Sequence, residues 1–420
     1  MTLSAPSNVF QQRFKIIIGT LIVLNVIGIV LMLTTGHGFF VIAMPLLLAA
    51  LFVPLLLQTA AARPIVSLFA IISFLIVVGL ILAPGFPIRV ANINNVTLGY
   101  VTGALMTSLG GIGLLLAFVE FGVLRLLALN RLGAIARITY YEALLQPFTI
   151  IVIVGGIVSM GILARVSFFT YYEDFKMYRD IASSFVFLFT LPVMIFASTK
   201  VIDEEIENRT MLTLLSKPVS RTQVVLGKYL GVLMLVGVCV ATLGIMAASY
   251  CYLRYYDDSL MDYRVASSMN TVNRLDFENY KAFMALLPAL VLAFFQVATL
   301  AAISVAVSTR FGLAANVTTV LLIYIAANLA QYMSSTADLP VIAQGVIQAG
   351  KYLLPGLSVL DLNQRLVFGT YLLGKDEWLR GAPTYSLIWQ YVGLSAVYTL
   401  FYVGAALSLG VALFRNRELL

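Results

Sequence analysis

The chain has 420 residues, of which 61% are hydrophobic and 11% are charged, and its formal net charge is +7. Soluble domains carry about 45–50% apolar and about 25% charged residues, so this composition excludes an ordinary soluble enzyme and a disordered chain. One His and two Cys give no basis for a metal site or a disulfide framework. The apolar stretches run about 20 residues without alternation, which predicts an all-α, polytopic membrane protein rather than a β-barrel.

Ten apolar stretches are long enough to cross a membrane. They are residues 16–34, 39–57, 65–84, 100–119, 148–164, 183–200, 225–250, 283–308, 312–331 and 387–413. Residues 1–119 form a four-span N-terminal extension, and residues 120–420 form a six-span core. The longer connections of the core, 251–282 and 332–386, are predicted to be folded outer segments. Part of the second, 335–372, is patchily apolar and is either outer or re-entrant.

The charge distribution predicts the orientation of these spans. With the N-terminus inside, basic residues outnumber acidic ones on the inner side, and the outer segments are balanced. This asymmetry fits the positive-inside tendency and predicts a plasma (inner) membrane protein with both termini in the cytoplasm. An anionic lipid leaflet accounts for the basic charge, so no nucleic acid partner is expected.

No Asp, Glu or Arg lies in the middle of any predicted span. Ion-coupled transporters usually need such residues within the membrane, so their absence counts against a secondary transporter or channel. The spans also lack a His, Cys or carboxylate cluster that would support an embedded enzyme. Their polar side chains are mild, namely Gln296, Asn316 and Asn328. Interhelical hydrogen bonding is the favoured reading of these three residues, and lining of a path is the alternative.

Two stretches imitate a phosphate-binding loop. Gly345 to Lys351 and Gly369 to Lys375 both read G-x-x-x-x-G-K, but Tyr352 and Asp376 follow in place of the Ser or Thr that holds magnesium. Both stretches also fall on the predicted outer side, away from cellular ATP. We therefore expect this chain to bind no cofactor and no metal, and any ATP and Mg²⁺ to lie on another subunit.

The inner segment 201–224 is too polar for membrane and too apolar for a solvated linker. Four acids stand at its start, Asp203, Glu204, Glu205 and Glu207. If a helix begins there, its N-terminus favours their negative charge, and this benefit is lost if the sixth span simply continues inward. Arg209 follows Glu205 at the helical i,i+4 spacing. An apolar face then follows, formed by Met211, Leu214 and Leu215.

The same segment contains a helix stop and a helix start. Pro218 disfavours helix at Lys217, and Ser220 with Gln223 gives the S-x-x-Q pattern of a capping box. An apolar face with a charged rim suits a groove on a partner protein. Insertion into the headgroup layer is the alternative, but an acidic start fits an anionic leaflet poorly. The sequence therefore predicts a short docking helix.

These residues resemble the signature region of ABC type-2 permeases, the membrane subunits of ATP-driven exporters. The resemblance is carried by Glu205 to Thr210, Leu214 to Arg221 and Leu226 to Gly231. The ending Leu413 to Leu419 and the stretch Ala134 to Gln146, within segment 131–147, resemble the family's basic C-terminus and its interfacial elbow helix. The pattern is most similar to permeases that serve multicopper-enzyme maturation, such as the nitrous-oxide-reductase maturation permease. It covers about residues 131–420 and leaves out the first four spans.

The resemblance implies a coupling helix that seats in a cleft of a separate ABC ATPase subunit. Its partner-binding residues would be Asp203, Glu204, Glu205, Glu207, Arg209, Met211, Leu214, Leu215, Lys217, Pro218, Ser220 and Arg221. A second inner turn, with Thr309, Arg310 and Phe311, would make a shorter contact. The resemblance also implies a permease homodimer or heterodimer. This chain itself is expected not to be an enzyme, because ATP would be hydrolysed on the partner.

Two functions remain open within the resemblance. The first is a permease that exports a substrate. The second is a permease that transmits ATP-driven motion to an outer or periplasmic partner without moving a cargo. The four extra spans could contact the bilayer, dock an additional membrane subunit or guard a lateral entry. A secondary transporter or channel is the alternative from another class.

Overall fold

The computed structural model describes residues 111–112, 115–116, 118–127, 130–164, 166, 174–207, 220–265, 286–333, 354–357, 359–361 and 384–415. The first three predicted spans and most of the fourth therefore lie outside the described residues. Every regular element in the described ranges is helical, which confirms the all-α class. The total of ten spans stays a prediction.

Seven helices make up the larger part of the structure. They are α1 (Arg131–Leu144), α2 (Pro147–Leu163), α3 (Asp174–Glu207), α4 (Arg221–Val265), α5 (Leu286–Ser308), α6 (Leu313–Met333) and α7 (Thr384–Arg415). They match the six predicted spans of the core and the segment in front of them. Four stretches are long and apolar enough to cross a membrane, Met177–Lys200, Arg221–Cys251, Leu286–Ser308 and Ile388–Phe414. The apolar part of α6, Leu313–Leu329, is shorter.

The chain divides into two compact units. The first contains residues 1–129 and 244–280, and the second contains residues 130–243 and 281–420. In the first unit, a π-helical turn, Val119–Val123, continues as the short α-helix Leu124–Leu127. The second unit contains α1 to α3, the first half of α4, and α5 to α7, so the predicted coupling and turn residues all belong to it.

The helices of the second unit pack around α5. Most of α5 is buried, including Leu292, Val297 and Leu300. Its first half packs on α7 through Ala289, Leu292 and Val392. Near the other end of α5, α7 approaches closely at Gly410. A Cβ added to Gly410 would lie only 3.0 Å from the Cα of Ala306 in α5, so the contact requires a residue without a side chain. The core of the unit is therefore built around α5.

Helices α1 and α2 form a bent pair with an angle of 65° between them. The residue before a proline is pushed out of the helical region, and Gln146 before Pro147 has φ −63° and ψ 129°. Pro147 then occupies the first turn of α2, where its missing N–H costs nothing. The hydroxyl of Thr149 donates to the carbonyl of Ala143 across the bend at 2.9 Å. Local chemistry thus fixes the angle between the two helices.

A piece of the predicted outer segment 332–386 packs along α7. Leu357 and Leu360 are buried, the N–H of Gly356 donates to Tyr398 Oη at 2.8 Å, and Tyr391 Oη donates to the carbonyl of Val359 at 2.6 Å. Tyr398 lies ten residues into the apolar stretch of α7, about 15 Å along the helix axis. The outer and the re-entrant readings of this segment both stay predictions.

Candidate functional site

The predicted coupling segment begins on α3, which runs without interruption from Asp174 through Lys200 to Glu207. The acids Asp203 to Glu207 therefore stand at the C-terminal end of a long helix. Of the two possibilities for these acids, the structure shows the second: the sixth span continues past Lys200, so the acids gain no benefit from a helix N-terminus. The acidic run is thus carried by the span itself as a rigid extension of about 10 Å beyond Lys200.

Several coupling residues lie outside what the structure describes. They are Arg209, Met211, Leu214, Leu215, Lys217 and Pro218. The same holds for the side chains of Asp203, Glu204, Glu205 and Glu207, although their backbone is helical. Their contact with a partner stays a prediction.

The capping box at the start of α4 is present. Ser220 N–H donates to Gln223 Oε1 at 3.1 Å, and Gln223 N–H donates to Ser220 Oγ at 3.2 Å. Two N–H groups that a helix start leaves without partners are satisfied reciprocally in this way. Residue 220 is therefore the fixed end of the segment, and α4 begins at Arg221 as the S-x-x-Q pattern predicts.

Arg221 joins the start of α4 to the end of α7. Its Nη1 donates to the carbonyl of Phe414 at 3.3 Å, and its guanidinium carbon lies 5.8 Å from the centre of the Phe414 ring. A cation at the C-terminus of a helix satisfies a free carbonyl and interacts favourably with the helix dipole. Two stretches that carry the family resemblance, Leu214 to Arg221 and Leu413 to Leu419, are thus in contact through Arg221 and Phe414. Sequence reasoning had treated them separately.

The predicted second turn lies between α5 and α6. Arg310 N–H and Phe311 N–H both donate to the carbonyl of Val307, at 3.1 and 3.0 Å. Thr309 is buried and its hydroxyl donates to the carbonyl of Ala306. Arg310 and Phe311 are exposed, Phe311 at 52%. Of the three predicted contact residues, Thr309 therefore holds the turn, and Arg310 and Phe311 form its accessible surface.

Two glycines of α4 allow the backbone of α1 to approach α4 closely. A Cβ on Gly227 would lie 2.9 Å from the Cβ of Ile135, and a Cβ on Gly231 would lie 2.6 Å from both the carbonyl oxygen of Ala136 and the Cβ of Thr139. Small residues four apart on an apolar helix allow this close approach. The stretch Leu226 to Gly231 therefore contains a saddle, defined by Gly227 and Gly231, on which α1 lies.

The residues between these glycines turn toward the core. Tyr229 is buried and its hydroxyl donates to the carbonyl of Ala298 in α5 at 3.3 Å. Lys228 is also buried. The first turns of α4 thus contact α1 on one side and α5 on another, which places the end of the coupling segment against two further helices.

A cluster of polar side chains joins α3, α5 and α6 close to the α5–α6 turn. Asn316 Nδ2 donates to Thr199 Oγ1 at 2.6 Å and to Ser304 Oγ at 2.8 Å, and Ser304 is hydrogen-bonded to Ser198. All four side chains are buried. We call these four residues the polar cluster. Asn316 thus makes the interhelical hydrogen bonds that were the favoured reading.

The other two polar residues of the spans are placed differently. Gln296 is buried in α5, eight residues before Ser304. Asn328 is half-buried, and its Nδ2 donates to the carbonyl of Tyr324 in its own helix at 2.9 Å. Neither residue belongs to the polar cluster, and their role as path lining stays a prediction. Ser198, Thr199 and Ser304 were missed in the sequence because small hydroxyl residues are common in apolar helices.

The polar cluster and three of the other features lie at one end of the second unit, which we call the turn end. It contains the α3 residues Ser198 and Thr199, the α5–α6 turn, the start of α4 at Arg221 and the end of α7 at Phe414. Within the described ranges, no three His, Cys, Asp or Glu side chains come together as in a metal site. The turn end is thus a place where α3, α4, α5, α6 and α7 meet.

Comparison with known protein families identifies this arrangement. A model described as ABC-2 family transporter protein matches residues 157–419, from the middle of α2 to the last residues of the chain. The chain belongs to the ABC-2 family. It is thus an ABC type-2 permease, a multi-pass membrane component of an ABC transporter. A search of curated proteins finds no match.

The match covers every residue of the turn end, and α1 lies outside it. Residues 1–156 lie outside it, so the four-span extension and the elbow role of α1 are not part of what the family comparison covers. The narrower similarity to maturation permeases also stays a prediction. Permeases of this family are membrane transport components that associate with an ABC ATPase subunit, and the family itself is not the catalytic component.

Proposed function

We propose that this permease transmits the ATP-driven motion of a separate ABC ATPase subunit to its spans, and that the motion exports a substrate. Residues 203–221 would seat in a cleft of that subunit, with Arg310 and Phe311 as a second contact. ATP and Mg²⁺ would be held by the ATPase subunit. The permease would act as a homodimer or heterodimer in the plasma (inner) membrane, with both termini in the cytoplasm.

The observation that carries this proposal is the convergence at the turn end. The segment 208–219 lies between α3 and the capped start of α4 at Ser220. Thr199 of α3 is bonded to Asn316 of α6, and Arg221 of α4 is bonded to the carbonyl of Phe414 in α7. On one side the polar cluster ties α3 to α5 and α6. On the other side Arg221 ties α4 to α7. A displacement of the segment would thus be transmitted to α3 and α4, which flank it, and to α5, α6 and α7, which are bonded to them. A coupling element requires such a connection.

The saddle adds α1 to this assembly. α1 lies against Gly227 and Gly231, two turns into α4, and it is bent by 65° from α2. Its exposed face carries Arg131, Ile138 and Glu142, a mixture of charged and apolar side chains. This mixture is suited to the boundary between lipid headgroups and acyl chains, so we assign α1 as the elbow helix of the permease.

Transmission to an outer partner is a second candidate function. It is favoured by the length of α4, whose 45 residues reach about 67 Å. The apolar part of α4 ends at Cys251, and the helix continues to Val265, about 20 Å farther. This extension could carry motion to a protein beyond the membrane. Cargo transport and outer transmission make the same demands on the turn end.

Charge reversal in the acidic run tests the docking role. With Glu205→Lys and Glu207→Lys together, we expect a protein that inserts normally and an ATPase subunit that still hydrolyses ATP, but no motion in the spans. The reason is that the acids would contribute to the seating of the segment and not to chemistry. Motion would be measured as the ATP-driven change in mobility of a spin label at the exposed position Gln390 of α7.

The matched control is Glu205→Asp with Glu207→Asp, which keeps both charges and should keep the ATP-driven signal. Full ATP-driven mobility change in the charge-reversed permease would contradict the docking assignment.

A further inference from the structure

The polar cluster has a defined direction of hydrogen-bond donation. The hydroxyls of Ser198 and Thr199 both donate to the carbonyl of Ile195, at 3.0 and 2.8 Å. Each hydroxyl has one hydrogen, so neither can donate again. Ser304 must then donate to Ser198, and the oxygens of Ser304 and Thr199 accept from Asn316 Nδ2. Donation therefore runs from α6 through α5 to α3.

Asn316 is the first donor in this series of hydrogen bonds, and its Oδ1 takes no part in the series. Both hydrogens of its Nδ2 are donated, which fixes the orientation of the amide. Its Oδ1 is buried and accepts no hydrogen bond. A buried acceptor without a partner destabilises a fold, and an apolar residue of the same size would avoid that loss. Every hydroxyl in the cluster would also keep its own acceptor if Asn316 were apolar.

Stability alone thus gives little reason for an asparagine at this position. The amide of Asn316 connects α3, α5 and α6 at the same height along their axes. Thr199 is the residue before Lys200, where α3 leaves its apolar stretch, and Asn316 lies four residues after Gly312, with Asn316 N–H donating to the Gly312 carbonyl at 3.0 Å. The link therefore joins the base of the coupling segment to the base of the α5–α6 turn.

We propose that Asn316 is a positioning residue that fixes the end of α3 against the α5–α6 turn, so that the two surfaces assigned to ATPase contact move as one body. The part that concerns the ATPase rests on the proposed function, and the fixed geometry itself does not. A single buried amide with two donated hydrogen bonds sets both distance and register. Loss of those bonds frees the α3 end to slide relative to the turn.

The test measures the distance between the two bodies in the full chain without any ATPase subunit. Spin labels would be placed at Lys200→Cys on α3 and Ala315→Cys on α6, both exposed positions. The buried native cysteines, Cys239 and Cys251, would be replaced by alanine. Dipolar broadening in lipid nanodiscs would give the distribution of distances between the labels, and thermal unfolding would be recorded in parallel.

In the native sequence we expect one narrow distance distribution. In Asn316→Leu we expect a clearly broader distribution with an unfolding temperature that is unchanged or higher. The matched control is Asn328→Leu on the same helix. The Asn328 amide donates to the carbonyl of Tyr324 within its own helix, so this variant should leave the distribution narrow. The exchange of Thr199→Asn with Asn316→Thr should restore part of the narrowness, because an amide again bridges α3 and α6.

A narrow distribution in Asn316→Leu would overturn the proposal, as would equal broadening in Asn328→Leu. A large fall in unfolding temperature with an unchanged distribution would show that the amide serves stability instead. If Asn316→Leu does not fold, Ser304→Ala removes one of the two acceptors and should give intermediate broadening, and a narrow distribution there would overturn the proposal. Because no ATPase subunit is present, these results are independent of whether the proposed function holds.

Discussion

Substitution of Gly231 by alanine is expected to destabilise the permease strongly. An added Cβ would lie 2.6 Å from the carbonyl oxygen of Ala136 and 2.6 Å from the Cβ of Thr139, so the backbone of α1 would have to move. Overpacking of this kind typically costs about 1–3 kcal/mol, and more where backbone has to shift. We expect a marked fall in the unfolding temperature of detergent-solubilised protein, and loss of folded protein for Gly231→Leu.

The control for this prediction lies on the same helix. A Cβ at Gly237 would meet Phe294 at 3.6 Å, which is ordinary van der Waals contact. Alanine is favoured over glycine in a helix by about 1 kcal/mol, so Gly237→Ala should be neutral or stabilising. We therefore expect the unfolding temperature to fall in Gly231→Ala and to stay unchanged or rise in Gly237→Ala. An unfolding temperature that does not change in Gly231→Ala would show that α1 does not lie on the saddle.

Placing charges on the apolar face of the coupling segment is expected to abolish binding of the ATPase subunit. Burial of one leucine side chain contributes about 1.5–3 kcal/mol, so Leu214→Glu with Leu215→Glu would remove about 3–6 kcal/mol and add two buried charges. Each 1.4 kcal/mol is a factor of ten in affinity, which predicts binding at least a hundredfold weaker. Titration of the purified permease with the ATPase subunit would measure this loss.

The control pair is Leu214→Met with Leu215→Met, which keeps the face apolar and close to its original volume. It should bind within a fewfold of the native affinity. Size-exclusion profiles of both variants would verify that the permease is inserted and folded. Native affinity in the Glu variant would mean that this face lies in lipid or against the permease itself, and the headgroup alternative would then be preferred.

The spans and the start of α4 could be predicted well from sequence. Long apolar stretches dominate the pattern, and the six predicted spans of the core coincide with helices α2 to α7 within a few residues at most ends. The capping box could be predicted because Ser220 and Gln223 make their contacts within one turn. Such features depend on local chemistry, which a single sequence contains.

The start of α3 was predicted too late because hydropathy falls before residue 183. The helix in fact begins at Asp174, and its apolar stretch begins at Met177. Arg179 and Asp180 therefore fall inside the stretch, near its first turn, and Arg179 is buried. Their position away from the middle of the span agrees with the sequence analysis. Charged residues near the end of a span lower the apolar signal without ending the helix.

The contacts at the turn end could not be predicted, because they join residues far apart in sequence. The spacing of Gly227 and Gly231 indicates a close helix contact, but it does not say that α1 is the partner. Asn316 could equally line a path or bond to a neighbouring helix until Thr199 and Ser304 are placed beside it. The end of α3 could not be predicted either, because the sequence allowed both a new helix at Asp203 and a continuation of the sixth span, and the structure shows continuation to Glu207.

The central claim is that this permease works through a separate ATPase subunit, and co-purification from the native host tests it most directly. The tagged chain would be extracted gently, its bound proteins identified and their stoichiometry measured, and the preparation assayed for ATP hydrolysis. We predict a stoichiometric ABC ATPase subunit with ATP hydrolysis, both lost in Leu214→Glu with Leu215→Glu. A clean, folded preparation of the native chain without any ATPase would contradict the account and would favour a secondary transporter or channel, with Gln296 and Asn328 as the first path residues to examine.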